Sequence, residues 1–153
     1  MMEKILLAVD GSKKAEKAAE KAGELVVALE VEVTILTVVD AVNIHYSAES
    51  AKSQFALEEL MEVRKNEVKQ KGEKILNKTE NILKSFQKEK DIKINKLLSS
   101  GTPAEYICKE AENNDYDLII LASTGEGGVK RFLLGSTSDR VVRHAETSVM
   151  IVK

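Results

Sequence analysis

The stretch Ser123-Thr124-Gly125-Glu126-Gly127-Gly128-Val129-Lys130-Arg131-Phe132-Leu133-Leu134-Gly135-Ser136-Thr137 carries residue types and spacings suited to holding an anion. Four glycines fall within eleven residues, after an apolar run and ahead of a helical pattern. Glycine lets the chain turn with positive φ and lets backbone approach a bulky group closely. Free N–H groups at Ser136 and Thr137, backed by the dipole of the helix they open, favour phosphate. The Ser136 and Thr137 hydroxyls add donors. Lys130 and Arg131 either neutralise phosphate charge or form a solvated face. The pattern is not a P-loop, since no G-x-x-x-x-G-K-[ST] occurs, nor a dinucleotide fingerprint, since G-x-G-x-x-G is absent after either candidate strand.

A second candidate is the turn Asp10-Gly11-Ser12 behind the apolar run Ile5–Val9. Asp10 reads either as a ligand contact or as a turn and helix cap. The remaining chemistry-bearing residues are sparse. Cys108 lies on an apolar helical stripe and reads as a small buried hydrophobe. His144 falls near the end of the last helix, where it suits the dipole, and His45 stands alone in a loop. No catalytic constellation supports rapid turnover, so an enzyme is not expected beyond slow hydrolysis of a bound phosphate chain with a divalent ion and a positioned water.

These residues need a scaffold, and the chain alternates strand and helix patterns to supply one. Continuous apolar runs at Ile5–Val9, Val33–Val39 and Leu118–Ala122 suit strands buried on both faces. Ile92 and Ile94 alternate with Lys93 and Asn95 before Leu97-Leu98, as in a half-exposed edge strand, and Ser148–Val152 forms a fifth. Between them run amphipathic helices. One carries Ala15, Ala18, Ala19, Ala22, Leu25, Val26 and Leu29 on its apolar face. A long pattern covers about Gln54 to Lys90, thinning between Glu62 and Lys74, where a projecting or fraying segment with Gly72 as its weak point is expected. Thr102, Pro103 and Glu105 predict a capping box, and Asn113-Asn114-Asp115 the end of that helix. Residues 41–53 read as a mobile loop.

Five strands joined by helices predict an open parallel α/β sheet with helices on both faces. The order 3-2-1-4-5 puts the buried strands in the middle and the switch point between the first and fourth, where such sheets bind ligands. Asp10-Gly11-Ser12 and Ala122–Gly128 then line one crevice.

Composition narrows the partners. The 153 residues suit one domain spanning 1–153, since roughly 150 residues per domain is usual. Lys+Arg 23 against Asp+Glu 25 leaves a net charge of -2, with no overall cationic field for nucleic acid or anionic lipid. A lone Cys excludes an intrachain disulfide and suits a reducing cytosol. The longest apolar runs have five residues, against the ~20 needed to span a membrane, and the start does not read as a secretory signal. A cytoplasmic protein with no nucleic-acid or membrane partner is expected.

The whole register resembles the universal stress protein family, in its nucleotide-binding subgroup with a Rossmann-like fold. Gly125, nine residues, then Gly135-Ser136 match the last two elements of that subgroup's G-x2-G-x9-G-[ST] pattern, with Ala122 where the first glycine stands. Ala8-Val9-Asp10-Gly11-Ser12, Val38-Val39-Asp40, Gly101-Thr102-Pro103 and Ser148–Val152 extend the likeness along the chain. The resemblance implies an ATP- or AMP-binding stress-response or signalling protein, with Mg²⁺ or Mn²⁺ accompanying ATP on its phosphates. It implies base-end contacts from Asp10 and Val38, with Ala8, Val9 and Ser12 beside them. Ribose and phosphates fall to the loop from Gly125 to Gly135, which holds Gly127, Gly128 and Arg131, and to Ser136 and Thr137, while Ala122, Ser123, Thr124 and Ser138 complete the nucleotide site.

A homodimer through Ser148–Val152 is expected on two grounds: the resemblance implies it, and Val149–Val152 is too apolar for an unprotected sheet edge. Two other readings compete: a ligand-free dimeric scaffold of the same fold, and a receiver-type phosphoacceptor module. The receiver reading lacks an aspartate at the end of the third strand, where Ser99-Ser100-Gly101 stands. An ATP-dependent activating enzyme would need paired glycines after the first strand, and Asp10-Gly11-Ser12 lacks them.

Overall fold

Nine elements follow one another in strict alternation in the computed structural model, which describes residues 1–39, 53–88, 90–124 and 133–153. They are β1 (Lys4–Ala8), α1 (Lys13–Leu29), β2 (Glu32–Val39), α2 (Gln54–Phe86), β3 (Ile94–Ser100), α3 (Pro103–Asn113), β4 (Leu118–Ala122), α4 (Ser136–His144) and β5 (Ser148–Val152). The strands form one sheet in the order β3-β2-β1-β4-β5, every neighbouring pair parallel. β1 and β4 bracket the switch point, pairing Leu6 with Ile119 and Leu7 with Ile120.

The sheet is buried from both sides, which explains the unbroken apolar runs in its central strands. Ile5, Leu7, Val33, Ile35 and Ile120 face α1 and α2, where the alanines of α1 let its backbone lie close. Leu6, Ala8, Leu36, Ile119 and Leu121 face the other way, onto Ala104, Ile107, Cys108 and Ala111 of α3 and Val141 of α4. β3 is the half-exposed edge expected from its alternation. Its ladder begins at Ile94, with Ile92 buried just ahead of it.

Two local expectations are corrected. Gly72 is not a weak point of α2. It is buried where the helix meets the sheet, and a Cβ there would stand 2.4 Å from Leu98 Cδ1 and 3.4 Å from Val39 Cγ1. Glycine permits that close approach. The capping box at α3 does not form, because the Thr102 side chain accepts no hydrogen bond. Proline at the next position restricts the residue before it. Thr102 has ψ 114°, against 161° and 157° at Ser12 and Ser53, whose hydroxyls do cap their helices. Pro103 does occupy the first turn.

α2 runs unbroken through Glu62–Lys74, and its buried residues begin only at Gly72. The preceding 18 residues span about 27 Å at 1.5 Å per residue and carry exposed Phe55, Leu60, Met61 and Val63. The expected loop lies outside the described residues except for Ser53, which accepts from the Ala56 N–H and caps α2.

Candidate functional site

At the carboxyl end of β1 the chain must reverse into α1. Gly11 takes φ +83°, and a Cβ there would meet Ile75 Cγ1 at 2.9 Å, so glycine is required on both counts. Asp10 shapes the turn by accepting from the Ser12 N–H at 2.9 Å through Oδ1. Ser12 in turn accepts from the Ala15 N–H at 3.1 Å and caps α1. Asp10 therefore forms the turn, and it also borders the crevice at the switch point.

Beyond β4 the chain is tied down by Ser123. Its N–H donates to the Val152 carbonyl at 2.9 Å, and its own carbonyl accepts from Gly135 N–H at 2.7 Å and Ser138 Oγ at 2.6 Å. Ser123 and the start of α4 therefore meet at one point. α4 begins there with Gly135 as its N-cap, and no side chain caps it. Its first internal bond runs from Asp139 N–H to the Gly135 carbonyl, so the amides of Ser136, Thr137 and Ser138 have no acceptor within the helix.

These two turns flank a crevice of about 470 Å³. Ala8, Val9, Asp10, Val38, Ala122, Thr124, Gly135, Ser136, Thr137 and Ser138 all line it. Ser12 and Ser123 do not: Ser12 faces a smaller recess beside Ile75 and Lys78, and Ser123 acts behind the wall through its backbone. Gly125, Gly127, Gly128 and Arg131, together with Lys130, lie outside the described residues, as do Asp40 and His45.

Sequence reasoning missed Leu36, Pro103, Ile107 and Leu121, which also line the crevice. Leu36 was legible from period two, sharing a sheet face with Val38. Pro103 and Ile107 read as helix start and core, because nothing local reveals that α3 packs beside the ligand end of the sheet.

The crevice joins two chemistries. Leu36, Val38, Pro103 and Ile107 make one part apolar, while the α4 amides and the Thr124, Ser136 and Thr137 hydroxyls make another part rich in donors. An amphiphilic ligand with a flat apolar group and an anionic tail matches both. Among the described lining residues Asp10 is the one carboxylate and none is a histidine. His144 sits in the last turn of α4, at the far end from the uncapped amides. Among the described residues no group of three or more His, Cys, Asp or Glu is placed to hold a metal ion. Nor is any helix among them long and apolar enough to cross a membrane.

An open parallel sheet in this order, with helices on both faces and a crevice at its switch point, defines a Rossmann-like fold. The chain belongs to the universal stress protein family, whose pattern it matches over residues 1–153. It is 31% identical over 153 residues to the universal stress protein MJ0531 of Methanocaldococcus jannaschii, covering 100% of this chain and 83% of that one. Its fold superposes on the solved structure of MJ0577, from the same organism, with a TM-score of 0.78 and 30% identity, covering 100% and 96% of the two chains. A universal stress protein family member from Arabidopsis thaliana, solved with AMP bound, superposes with a TM-score of 0.65 at 21% identity, covering 99% and 91%.

Proposed function

We propose that the protein binds an adenine nucleotide, ATP or AMP, in the crevice between β1 and β4, and acts in stress response or signalling through its bound state. The base occupies the apolar part beside Val38 and Leu36, and the phosphates meet the amides and hydroxyls at the start of α4. The observation that carries this reading is the glycine N-cap of α4, which leaves three amides without an acceptor in the helix at the wall of a crevice of about 470 Å³. A serine cap, as at α1, would satisfy one of those amides itself. AMP bound to the Arabidopsis relative supports the ligand class.

Gly125, Gly127, Gly128 and Arg131 belong to the same proposed site on the pattern they share with the family. A divalent ion accompanying ATP would ride mainly on the phosphates, where the Thr124, Ser136 and Thr137 hydroxyls offer it neutral oxygens. Among the described lining residues Asp10 is the one carboxylate, and the protein acts as a binding protein with at most slow hydrolysis.

Heat denaturation of purified protein followed by chromatography tests the reading, with calorimetric titration of the ligand-free protein by ATP and by AMP. Released adenine nucleotide, or saturable binding at one site per chain, is expected. A clean supernatant together with no heat of binding from either nucleotide would favour the ligand-free scaffold.

The assembly is a homodimer through β5. This strand closes one edge of the sheet, and Val149–Val152 are only half-buried there. Pairing with β5 of a second copy would cover both the side chains and the unpaired backbone. Sedimentation should give a dimer at micromolar concentration, and a monomer there would refute the arrangement.

A further inference from the structure

We infer that Lys14 is the residue by which the crevice distinguishes a chain of phosphates from a single phosphate, an inference that rests on the nucleotide reading above. Lys14 lies in the first turn of α1, and its Nζ donates to Thr124 Oγ1 at 2.7 Å. Thr124 is buried and forms part of the crevice wall. The bond crosses between faces, because α1 packs on one side of the sheet and α3 and α4 on the other. The ammonium is thus brought over the top of the sheet to the exit of β4.

Its acceptor there is a neutral hydroxyl. Other lysines of the body, such as Lys21, Lys78 and Lys96, are engaged with the carboxylates of Glu24, Glu16 and Glu80. An ammonium has three donors, and among the described residues Thr124 takes only one of them. A phosphate oxygen makes a charge-assisted bond of roughly twice the strength of a neutral one.

Sheet order sets the direction in which this cation is met. The apolar part of the crevice is built by β2 and α3, and Thr124 follows β4, on the other side of β1. On this inference a ligand with its base by β2 and its first phosphate at the α4 amides reaches Lys14, beyond Thr124, with its outer phosphates. AMP has none; ATP does.

Equilibrium titration with ATP and AMP, in EDTA to remove divalent ions, tests this on the unmodified protein, Lys14→Gln and Lys14→Arg. Lys14 is exposed, and matching circular dichroism spectra establish that the variants fold alike. Lys14→Gln should weaken ATP about tenfold, the order expected for one charge-assisted contact, and leave AMP within about twofold. Lys14→Arg should keep most of the ATP affinity. Equal losses for both nucleotides, or none for either, would overturn the role assigned to Lys14. Failure of the unmodified protein to bind either nucleotide would instead remove the nucleotide reading, and this inference with it.

Discussion

The Ser138 hydroxyl donates to the Ser123 carbonyl at 2.6 Å, fifteen residues earlier in the chain, and so fastens the first turn of α4 to the exit of β4. The same carbonyl takes the Gly135 N–H, and Ser138 Oγ also lies 3.1 Å from the Gly135 carbonyl. The position of the α4 amides relative to β4 depends on this junction, which therefore supports the proposed site.

Ser138→Ala removes one buried hydrogen bond and leaves the Ser123 carbonyl with its remaining donor. A stability loss of about 1 kcal/mol is expected by urea denaturation. Nucleotide affinity should fall several-fold as α4 loses its alignment. Unchanged affinity with the stability loss intact would mean that Gly135 alone sets the junction.

Gly23 and Phe86 make a second close pair, between α1 and the last residue of α2. A Cβ on Gly23 would lie 2.5 Å from Phe86 Cδ2 and 2.9 Å from its Cγ. Alanine gains about 1 kcal/mol over glycine in a helix interior, yet overpacking against a ring costs about 1–3 kcal/mol. Gly23→Ala should therefore lower the melting temperature by a few degrees. Combined with Phe86→Leu it should cost less than the two single changes added together. Strict additivity would show that the ring swings clear without strain.

Acid should destabilise the protein through carboxylates held low in the folded state. Asp117 accepts from the Glu3 and Lys4 N–H groups at 2.7 and 2.9 Å, and these bonds hold its carboxyl below the ordinary value near 4. Hydrogen bonds from lysines likewise lower Glu16 (from Lys78), Glu32 (from Lys93) and Glu80 (from Lys96 and Lys84). A depressed carboxyl stabilises above its unfolded pKa, and that contribution disappears as pH falls through the folded one. Urea midpoints should hold steady above about pH 5 and drop below about pH 4. Asp117→Asn should flatten part of that drop, by under about 1 kcal/mol because the group is exposed. An identical acid limb in the variant would remove Asp117 from the account.

The architecture was legible because its signals are local and repeated. Ile5–Val9 and Leu118–Ala122 announce burial on both faces by having no polar alternation, while Ile92 to Leu98 announces an edge by having some. The order 3-2-1-4-5 follows from ranking those runs. The polar part of the crevice was legible for a similar reason, since Gly135-Ser136-Thr137 at a helix start has a backbone meaning in any context. Its apolar wall was not. Only Leu36 followed from period two; Pro103 and Ile107 join it when α3 packs beside β2, and that packing joins residues far apart in the chain. Gly72 misled because helix propensity penalises glycine, and no propensity scale registers Leu98 pressing against that position. Lys14 was invisible as well, for its partner is 110 residues away.

Cys108 offers a probe that joins fold and ligand. It is 8% exposed on the face of α3 that meets the sheet, next to Ile107 in the crevice wall. Burial, aided by the Glu112 charge, raises its thiol above the ordinary range and keeps it protonated at neutral pH. Since the thiolate is the reactive form, alkylation requires α3 to open. A ligand bound to the closed crevice lowers the population of open molecules by the factor 1 + [L]/Kd. Saturating ATP at about a hundredfold excess over Kd should therefore slow labelling roughly a hundredfold, without touching the cysteine. Thiol mass labelling with and without nucleotide gives the ratio. Equal rates in a protein shown to bind ATP would mean that α3 opens without disturbing the ligand, and Ile107 and Pro103 would then drop out of the binding wall.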